Sequence, residues 1–402
     1  MDIDREVCEK VANNSIIDTE AISMDHRKLG NHGVEVSLLG FGCMRFPLKK
    51  GKIDEVTAEK MIDKAYASGI NYFDTAWPYH EGKSEEFVGR ALSKYDRSSF
   101  YLADKLPCWQ VKSKEDAARI FETQLERLRT GYIDFYLMHA LDGKRWDEME
   151  ALGIHDYLLT LAASGKIRHL GFSFHGDYDS FERIIRAKRW DFCQIQYNYM
   201  DADEQAGTKG YALAESLGVP VIVMEPLKGG SLATLPDDVI EPFHKIHPGT
   251  GAVELAFRWL AGQGNVRLIL SGMSSMRQLI ENLRLFSEMK GLDEAESCAV
   301  AEVASIIRSR VKSACTGCAY CMPCPNGVDI PRNFRIWNGW GMYKNRLDSR
   351  RQWHDPSFAP ARTDKCTSCG VCLDKCPQKL NIPAELAQAC EELDAIKRAT
   401  VY

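Results

Sequence analysis

Between residues 34 and 290, short apolar runs alternate with segments whose apolar residues recur every three or four positions. Eight runs read as strands: "EVSLLGFG", "INYFDTA", "SFYLADKL", "YIDFYLMHA", "IRHLGFSFH", "FCQIQYN", "PVIVMEPL" and "VRLILSGM". Runs this continuously apolar suit parallel strands covered on both faces. Helical stretches lie between them. "TAEKMIDKAYASG" puts Met61, Ile62, Ala65 and Tyr66 on one face and stops at Gly69. "SKEDAARIFETQLERLRTG" opens with a capping-box signature, Ser113 to Asp116, and buries Phe121, Leu125 and Leu128 before Gly131. "SMRQLIENLRLFSEM" follows the last strand. Eight strand–helix pairs without a G-x-G-x-x-G fingerprint predict a closed (β/α)8 barrel, an α/β fold, over an open dinucleotide-binding sheet. Ahead of them, "HRKLGNHGVEVSLLG" predicts a hairpin on the barrel floor.

After Gly291 the pattern changes. "DEAESCAVAEVASIIRSRVK" reads as one amphipathic helix, and two dense groups of cysteines begin just beyond it. The chain thus divides into an N-terminal extension (1–25), the barrel (26–310) and a small, mainly helical domain (311–402). The 402 residues are 45% hydrophobic and 27% charged, enough for a sizeable core. A net charge of −5 with no basic run argues against a nucleic-acid partner. No apolar stretch approaches the roughly 20 residues that span a bilayer, so no membrane segment is expected. The acidic start, "MDIDREVCEKVANNSIIDTEAISM", lacks the basic and apolar regions of a signal peptide. Eight of the fourteen cysteines fall in the two groups, which points to metal ligation in a reducing compartment, the cytoplasm. The others (Cys8, Cys43, Cys108, Cys193, Cys298 and Cys390) read as buried thiols.

Chemistry in such a barrel sits at the C-terminal ends of its strands. Three consecutive strands close on ionisable residues: Asp74 in "YFDTAWPYH", with Tyr79 five residues on; Lys105 in "YLADKLP"; and His139 in "YLMHALD". Each alone reads as a solvated loop residue or a structural histidine. Four at the same end of neighbouring strands converge on one pocket. A carbonyl that takes up hydride at carbon needs a proton at oxygen, and a tyrosine with its ordinary pKa of ~10 is a weak acid for that task. The Lys105 ammonium would lower that pKa, Asp74 would hold the lysine, and His139 would orient the substrate oxygen.

This Asp/Tyr/Lys/His arrangement, with "RKLG" and "VEVSLLGFG" ahead of it, resembles the aldo-keto reductase family over residues 26–290. The resemblance implies a TIM barrel that binds NADP(H) or NAD(H) without a Rossmann motif and a small carbonyl or alcohol substrate. It implies Tyr79 as general acid, supported by Asp74, Lys105 and His139. It also implies cofactor contacts at Gly42, Ser173, Gln194, Met224, Leu227, Gly229, Gly272, Gln278, Glu281 and Asn282. Several positions depart from the family's usual residues. Phe174 stands for the asparagine after the serine, and Met224 for the tyrosine under the nicotinamide ring. Gly272 stands for the lysine and Gln278 for the arginine that many members use against the 2′-phosphate, with Arg277 one position out of register. NADP(H) is the first expectation from the family, and NAD(H) stays open. Trp77, Trp109, Phe174, Tyr197 and Tyr199, at or near strand ends, predict an aromatic pocket rim suited to a bulky apolar substrate.

The cysteine groups are Cys315, Cys318, Cys321 and Cys324 before Pro325, and Cys366, Cys369, Cys372 and Cys376 before Pro377. The second fits C-x2-C-x2-C-x3-C-P, and the first is one residue short before its last cysteine. Zinc sites also use C-x2-C pairs; four cysteines in one string with a terminal proline favour iron–sulfur. The groups resemble those of dicluster ferredoxins. That resemblance implies two 4Fe–4S clusters, one on Cys315, Cys318, Cys321 and Cys376, the other on Cys366, Cys369, Cys372 and Cys324. The helical, aromatic stretch between the groups makes the tail similar to the α-helical ferredoxin module of a subgroup of aldo-keto reductases.

Three roles stay open for the clusters. They exchange electrons with a ferredoxin-like partner, although nicotinamide carries electrons in pairs and no flavin motif is present. Alternatively, their ligation supplies folding free energy to a domain with little core of its own. In the third reading the chain is a redox sensor that binds nicotinamide and regulates a partner, for which the barrel-shaped potassium-channel β subunits are a precedent by resemblance.

Overall fold

The computed structural model describes residues 24–30 and 33–396. Cys8, nearly all of the 1–25 extension and the tip of the floor hairpin lie outside the described residues. The hairpin's arms, β1 (His26–Lys28) and β2 (Glu35–Ser37), pair antiparallel. Asn71 ties β2 to the start of a barrel strand: its Oδ1 accepts from Ser37 N at 2.8 Å and its Nδ2 donates to Glu35 O at 3.0 Å.

Eight strands close the barrel, each on one of the predicted runs: β3 (Leu39–Gly42), β6 (Tyr72–Asp74), β7 (Tyr101–Leu106), β8 (Ile133–Leu141), β9 (Ile167–Phe174), β10 (Phe192–Gln196), β11 (Val221–Met224) and β12 (Val266–Ser271). A two-stranded hairpin, β4 (Leu48–Lys49) with β5 (Lys52–Ile53), follows β3. Register decides what meets at the strand ends. Asp74 lies opposite Ala103 and Lys105 opposite Leu137, in parallel pairs. Side chains alternate with a period of two. Lys105 therefore shares the face of Ala103, and His139 that of Leu137, so the ionisable residues step around one rim.

The helices follow local signals. Asp54 caps Glu55–Ala67, which buries Met61, Ile62 and Ala65, while Tyr66 stacks on Tyr95 with ring centroids 3.9 Å apart. Ser113 caps Lys114–Leu128 through its hydroxyl, but the predicted box is half made. The Asp116 carboxylate accepts from the backbone of Lys112, where the box would have it reach back to Ser113. Helix Ser84–Leu92 crosses this helix at Gly89, where an added Cβ would come within 2.3 Å of the Arg127 carbonyl.

Contacts divide the chain into two compact units. One runs to Ser173 and adds Arg189–Cys193 and Leu270–Met289; the other comprises Phe174–Lys188, Gln194–Ile269 and the chain from Lys290 onward. In the second unit, helix Glu294–Ser309 carries a full capping box between Asp293 and Glu296. Its Val300, Val303 and Ile307 pack with Val239, Ile240 and Phe243 of helix Asp237–His244. Buried Glu296 is answered by Arg258 at 2.7 Å and His247 at 2.5 Å. Beyond it, helices Ile330–Tyr343, Arg346–Trp353 and Ile382–Asp394 enclose Phe334, Trp337, Trp353, Leu386 and Leu393. The tail thus has a core of its own, contrary to the expectation of a domain with little core. Among the described residues no helix is long and apolar enough to cross a membrane.

Candidate active site and cluster ligands

At the C-terminal ends of β6 and β7, Lys105 Nζ lies 2.6 Å from Asp74 Oδ1 and 2.7 Å from the Thr75 carbonyl. The lysine is wholly buried. Burial alone would pull its ammonium down, but the Asp74 carboxylate, with Tyr79 beside it, lifts it above the ordinary lysine value. Burial likewise pushes the Asp74 carboxyl up, and the ammonium draws it back. At this contact distance each group answers the other's charge.

Tyr79 leaves β6 on a tight turn in which His80 and Glu81 take left-handed conformations (φ 52° and 57°). Its ring centre is 5.1 Å from Lys105 Nζ. The lowering expected from Lys105 is present, yet burial outweighs it, and the phenol stands above its ordinary pKa. At neutral pH the hydroxyl keeps its proton and can give it. The half-buried His139 ring lies edge-on to Tyr79 at 6.3 Å, with Trp109 5.1 Å away on another side. The next residue, Ala140, takes a left-handed φ of 54°. It is held by N–H donation to Ser173 Oγ (2.7 Å) and by the Arg145 guanidinium on its carbonyl (2.6 Å).

A polar layer under the lysine escaped the sequence reading. Gln124 Nε2 donates to the Lys105 carbonyl and to Glu85 Oε1, both at 3.0 Å, and Tyr136 donates to Gln124 Oε1 at 2.6 Å. Arg127 completes it at 2.7 Å from Glu85. The signal was available: Glu85 shares a helical face with Val88 and Leu92, an odd place for a solvated carboxylate.

The positions implied for a nicotinamide cofactor are varied. Gln194 is buried, its Nε2 3.6 Å from the Met224 sulfur, and its Oε1 has no partner among the described residues. A carboxamide N–H would complete that acceptor. Leu227 and Gly229 belong to a loop in which Glu225, Lys228, Gly229 and Gly230 all have positive φ. Its Lys228 pairs with buried Asp201, which also accepts from Gln196 and Asn198, a cluster the sequence did not suggest. Gly42 is explained by packing, because a Cβ there would press on the Ser271 carbonyl at 3.2 Å. Asn282 is buried and donates to Ser271 Oγ (3.0 Å); Gln278 accepts from Ser274 N (2.7 Å); exposed Glu281 faces Arg277.

The aromatic rim is smaller than expected. Trp109 is 40% exposed and Trp77 carries the Arg127 guanidinium over its ring. Phe174, Tyr197 and Tyr199 are buried core residues: Phe174 packs on Phe181, and Tyr197 stacks on Tyr211. A position at a strand end did not determine which way these rings turn.

In the tail the eight cysteines surround two recesses. Cys315, Cys318, Cys321 and Cys376 line one, together with Ile330. Cys324, Cys366, Cys369 and Cys372 line the other, with Ile330 and Cys321 on its wall. All described cysteines are free thiols. Among the described residues no three histidine, cysteine or carboxylate side chains converge to share one ion. In a 4Fe–4S cluster each iron takes its own thiolate, so ligands stand around a recess instead of meeting at a point. Donor set and layout fit such clusters.

The description "Aldo/keto reductase family" matches residues 38–304, and "4Fe-4S dicluster domain" matches residues 314–380. A probable aldo-keto reductase from Glycine max is 28% identical over 293 residues, covering 64% of this chain and 82% of the relative. L-galactose dehydrogenase from Arabidopsis thaliana is 27% identical over 289 residues, covering 66% and 89%. The holo form of an aldo-keto reductase from Bacillus halodurans superposes with a TM-score of 0.59 at 28% identity, over 70% of this chain and 96% of that one. With strand ends, register and cysteine recesses already in place, these matches settle the family: the chain is a member of the aldo/keto reductase family that carries a C-terminal 4Fe-4S dicluster domain.

Proposed function

We propose that this oxidoreductase moves hydride between NADP(H) or NAD(H) and a small carbonyl or alcohol, with Tyr79 as the proton donor. The observation that carries the reading is a phenol above its ordinary pKa beside the buried Lys105–Asp74 pair. When bound, the nicotinamide supplies a hydride, both electrons of the new C–H bond. Tyr79 Oη gives its proton to the substrate oxygen, which completes the alcohol and leaves a phenolate. Lys105 stabilises that phenolate at close range, Asp74 keeps the lysine in place, and solvent returns the proton. His139 donates a hydrogen bond to the carbonyl oxygen and orients it. Gln194 holds the carboxamide, and the Gln124–Glu85 layer fixes the backbone at Lys105.

The tail holds two 4Fe–4S clusters, one per recess, so the fourth cysteine of each group serves the other group's cluster. When bound, such clusters pass single electrons, and a ferredoxin-like protein is the proposed partner. Thiolate ligation of this kind suits the cytoplasm.

Anaerobic protein mixed with NADPH or NADH and a panel of aldehydes should consume the nicotinamide, and Tyr79→Phe should abolish this. Undiminished turnover in that variant would overturn the assignment. Nicotinamide binding with no turnover of any carbonyl would favour the sensor reading. Bleaching of the iron–sulfur absorbance by nicotinamide alone would place the clusters in electronic contact with the barrel.

A further inference from the structure

Away from the catalytic rim, where β7 and β8 begin, the chain leaves a space unfilled. Helices Ser84–Leu92 and Lys114–Leu128 press together at Gly89, where no Cβ fits, and then both stop. Arg129 takes a left-handed φ of 54° and turns the chain toward β8. The two helix ends border a cavity of about 290 Å³, near the low end of the roughly 300–1,000 Å³ typical of ligand pockets. All of its walls belong to the first compact unit. It lies where β7 starts, at Tyr101, and Lys105 comes about 13 Å further along that strand.

Leu92, Phe100, Leu102 and Leu128 give the cavity an apolar side. Arg97 and Arg129 also line it, and among the described residues no carboxylate does. Arg97 is held in place. Its Nε donates to Thr130 Oγ1 (2.9 Å) and its Nη1 to the Phe100 carbonyl (3.1 Å). Its Nη2 donates to the Tyr132 carbonyl (3.0 Å) and to Asp134 Oδ2 (2.6 Å). The guanidinium also lies 4.0 Å from the Tyr132 ring centre. A guanidinium carries five N–H donors, so one N–H, on Nη1, has no acceptor among the described residues. Asp134 divides its charge between Arg97 and Arg168, the latter 3.8 Å away. Exposed Arg129 has no ion-pair partner among the described residues. Positive charge is therefore in excess at this wall.

We propose that this cavity is a second small-molecule site, separate from the catalytic one, and that it binds a compact apolar carboxylate. The carboxylate accepts the unused Nη1 N–H of Arg97, Arg129 adds its charge, and the apolar body covers the leucines and Phe100. Because Arg97 is already fixed by four hydrogen bonds, little ordering is left for the ligand to impose. A neutral ligand would forgo the charge-assisted bond, the stronger kind. Gly131 marks the open space, since a Cβ added there would meet nothing within 4 Å.

The test titrates 2-naphthoate, and its neutral carboxamide, into the full chain by calorimetry, and repeats this with Gly131→Phe, Arg129→Gln and Trp109→Ala. Wild type should bind the acid about 10-fold more tightly than the amide, the margin of a charge-assisted over a neutral hydrogen bond. Gly131→Phe fills the cavity and should weaken the acid more than about 10-fold. Arg129→Gln should weaken it about 3- to 5-fold, as loss of an exposed charge does. Trp109→Ala, at the catalytic rim, should leave it unchanged. Far-UV circular dichroism and the thermal midpoint should match wild type in Gly131→Phe. Should that variant not fold, Arg129→Gln and the acid-to-amide ratio still decide. Undiminished binding in folded Gly131→Phe would overturn the proposal, and loss in Trp109→Ala would put the acid in the catalytic site and overturn it too. Equal affinity for acid and amide, no loss in Arg129→Gln, or no binding to wild type would each do the same.

Discussion

The strand-end site and the cluster site handle reactive groups in opposite ways. At the strand ends the charges of Lys105, Asp74, Glu85 and Arg127 are answered from inside the protein. Lys105 has Asp74 and a backbone carbonyl, and the layer beneath has Glu85, Gln124, Arg127 and Tyr136 bonded to one another. The cluster recesses are ringed by thiols on irregular chain, with Cys318 and Cys369 exposed and Cys376 buried. Their order comes from apolar packing behind them, where Trp353, Phe334 and Leu386 are 0–1% exposed. One site is held by charges paired within the protein. The other rests on apolar packing behind its cysteines. The first should therefore be intolerant of losing a single charge, and the second tolerant of losing metal.

The largest expected effect follows. Lys105→Met leaves Asp74 buried with no counter-charge, at a cost of about 3–5 kcal/mol in unfolding free energy. Urea titration should show it alongside loss of carbonyl turnover. A midpoint equal to wild type would mean that the pair contributes no net stability and would break the contrast. On the other side, Cys376→Ser should lower iron from about eight to about four per chain and remove the same spectroscopic signal as Cys315→Ser. Far-UV helix content should hold. If Cys376→Ser instead removes the signal shared by Cys366 and Cys369, the ligands do not cross between groups.

A smaller effect tests the sign of the Tyr79 shift. Its pKa is raised, burial outweighing Lys105. The acid form is present below that pKa and lost above it. Reductive kcat/KM should stay level through neutral pH and fall only above the ordinary tyrosine value of ~10. Alcohol oxidation should rise through the same limb. A fall beginning below about pH 9 would show the lysine prevailing over burial.

The two regions also differ in how they can be read from sequence. The candidate cysteine ligands lie within a few residues of one another, so spacing alone points to them. Asp74, Lys105 and His139 are far apart in the chain, yet each closes an apolar run long enough to identify a strand, and the barrel brings such ends together. What stayed hidden depends on burial and facing. Spacing cannot tell that Tyr197 turns inward onto Tyr211 or that Glu85 is bonded inside the protein. The core of the tail was missed because Phe334, Trp337, Trp353, Phe358 and Leu386 come singly along helices and turns, never as a run. Desolvation, which set the direction of the Tyr79 shift, is a three-dimensional property and has no local signature.

The smallest effect concerns how the first cysteine group is attached. Asn338, in mid-helix, brackets the chain just ahead of Cys315: its Oδ1 accepts from Lys312 N (2.9 Å) and Ser313 N (2.8 Å), and its Nδ2 donates to Ser313 O (2.9 Å). Ser313 also donates to Glu385 at 2.6 Å. Asn338→Asp keeps the two acceptor contacts and removes one donor, a loss of about 1 kcal/mol at a single hydrogen bond. The strain falls on the loop that bears Cys315, Cys318 and Cys321 and not on the other recess or the barrel. Iron release to a chelator should therefore become biphasic, with the first cluster leaving about 5-fold faster, while carbonyl turnover stays at the wild-type rate. Equal acceleration of both clusters would mean that the recesses yield together, and the tail would then act as one metal-dependent unit instead of a packed scaffold with two separate sites.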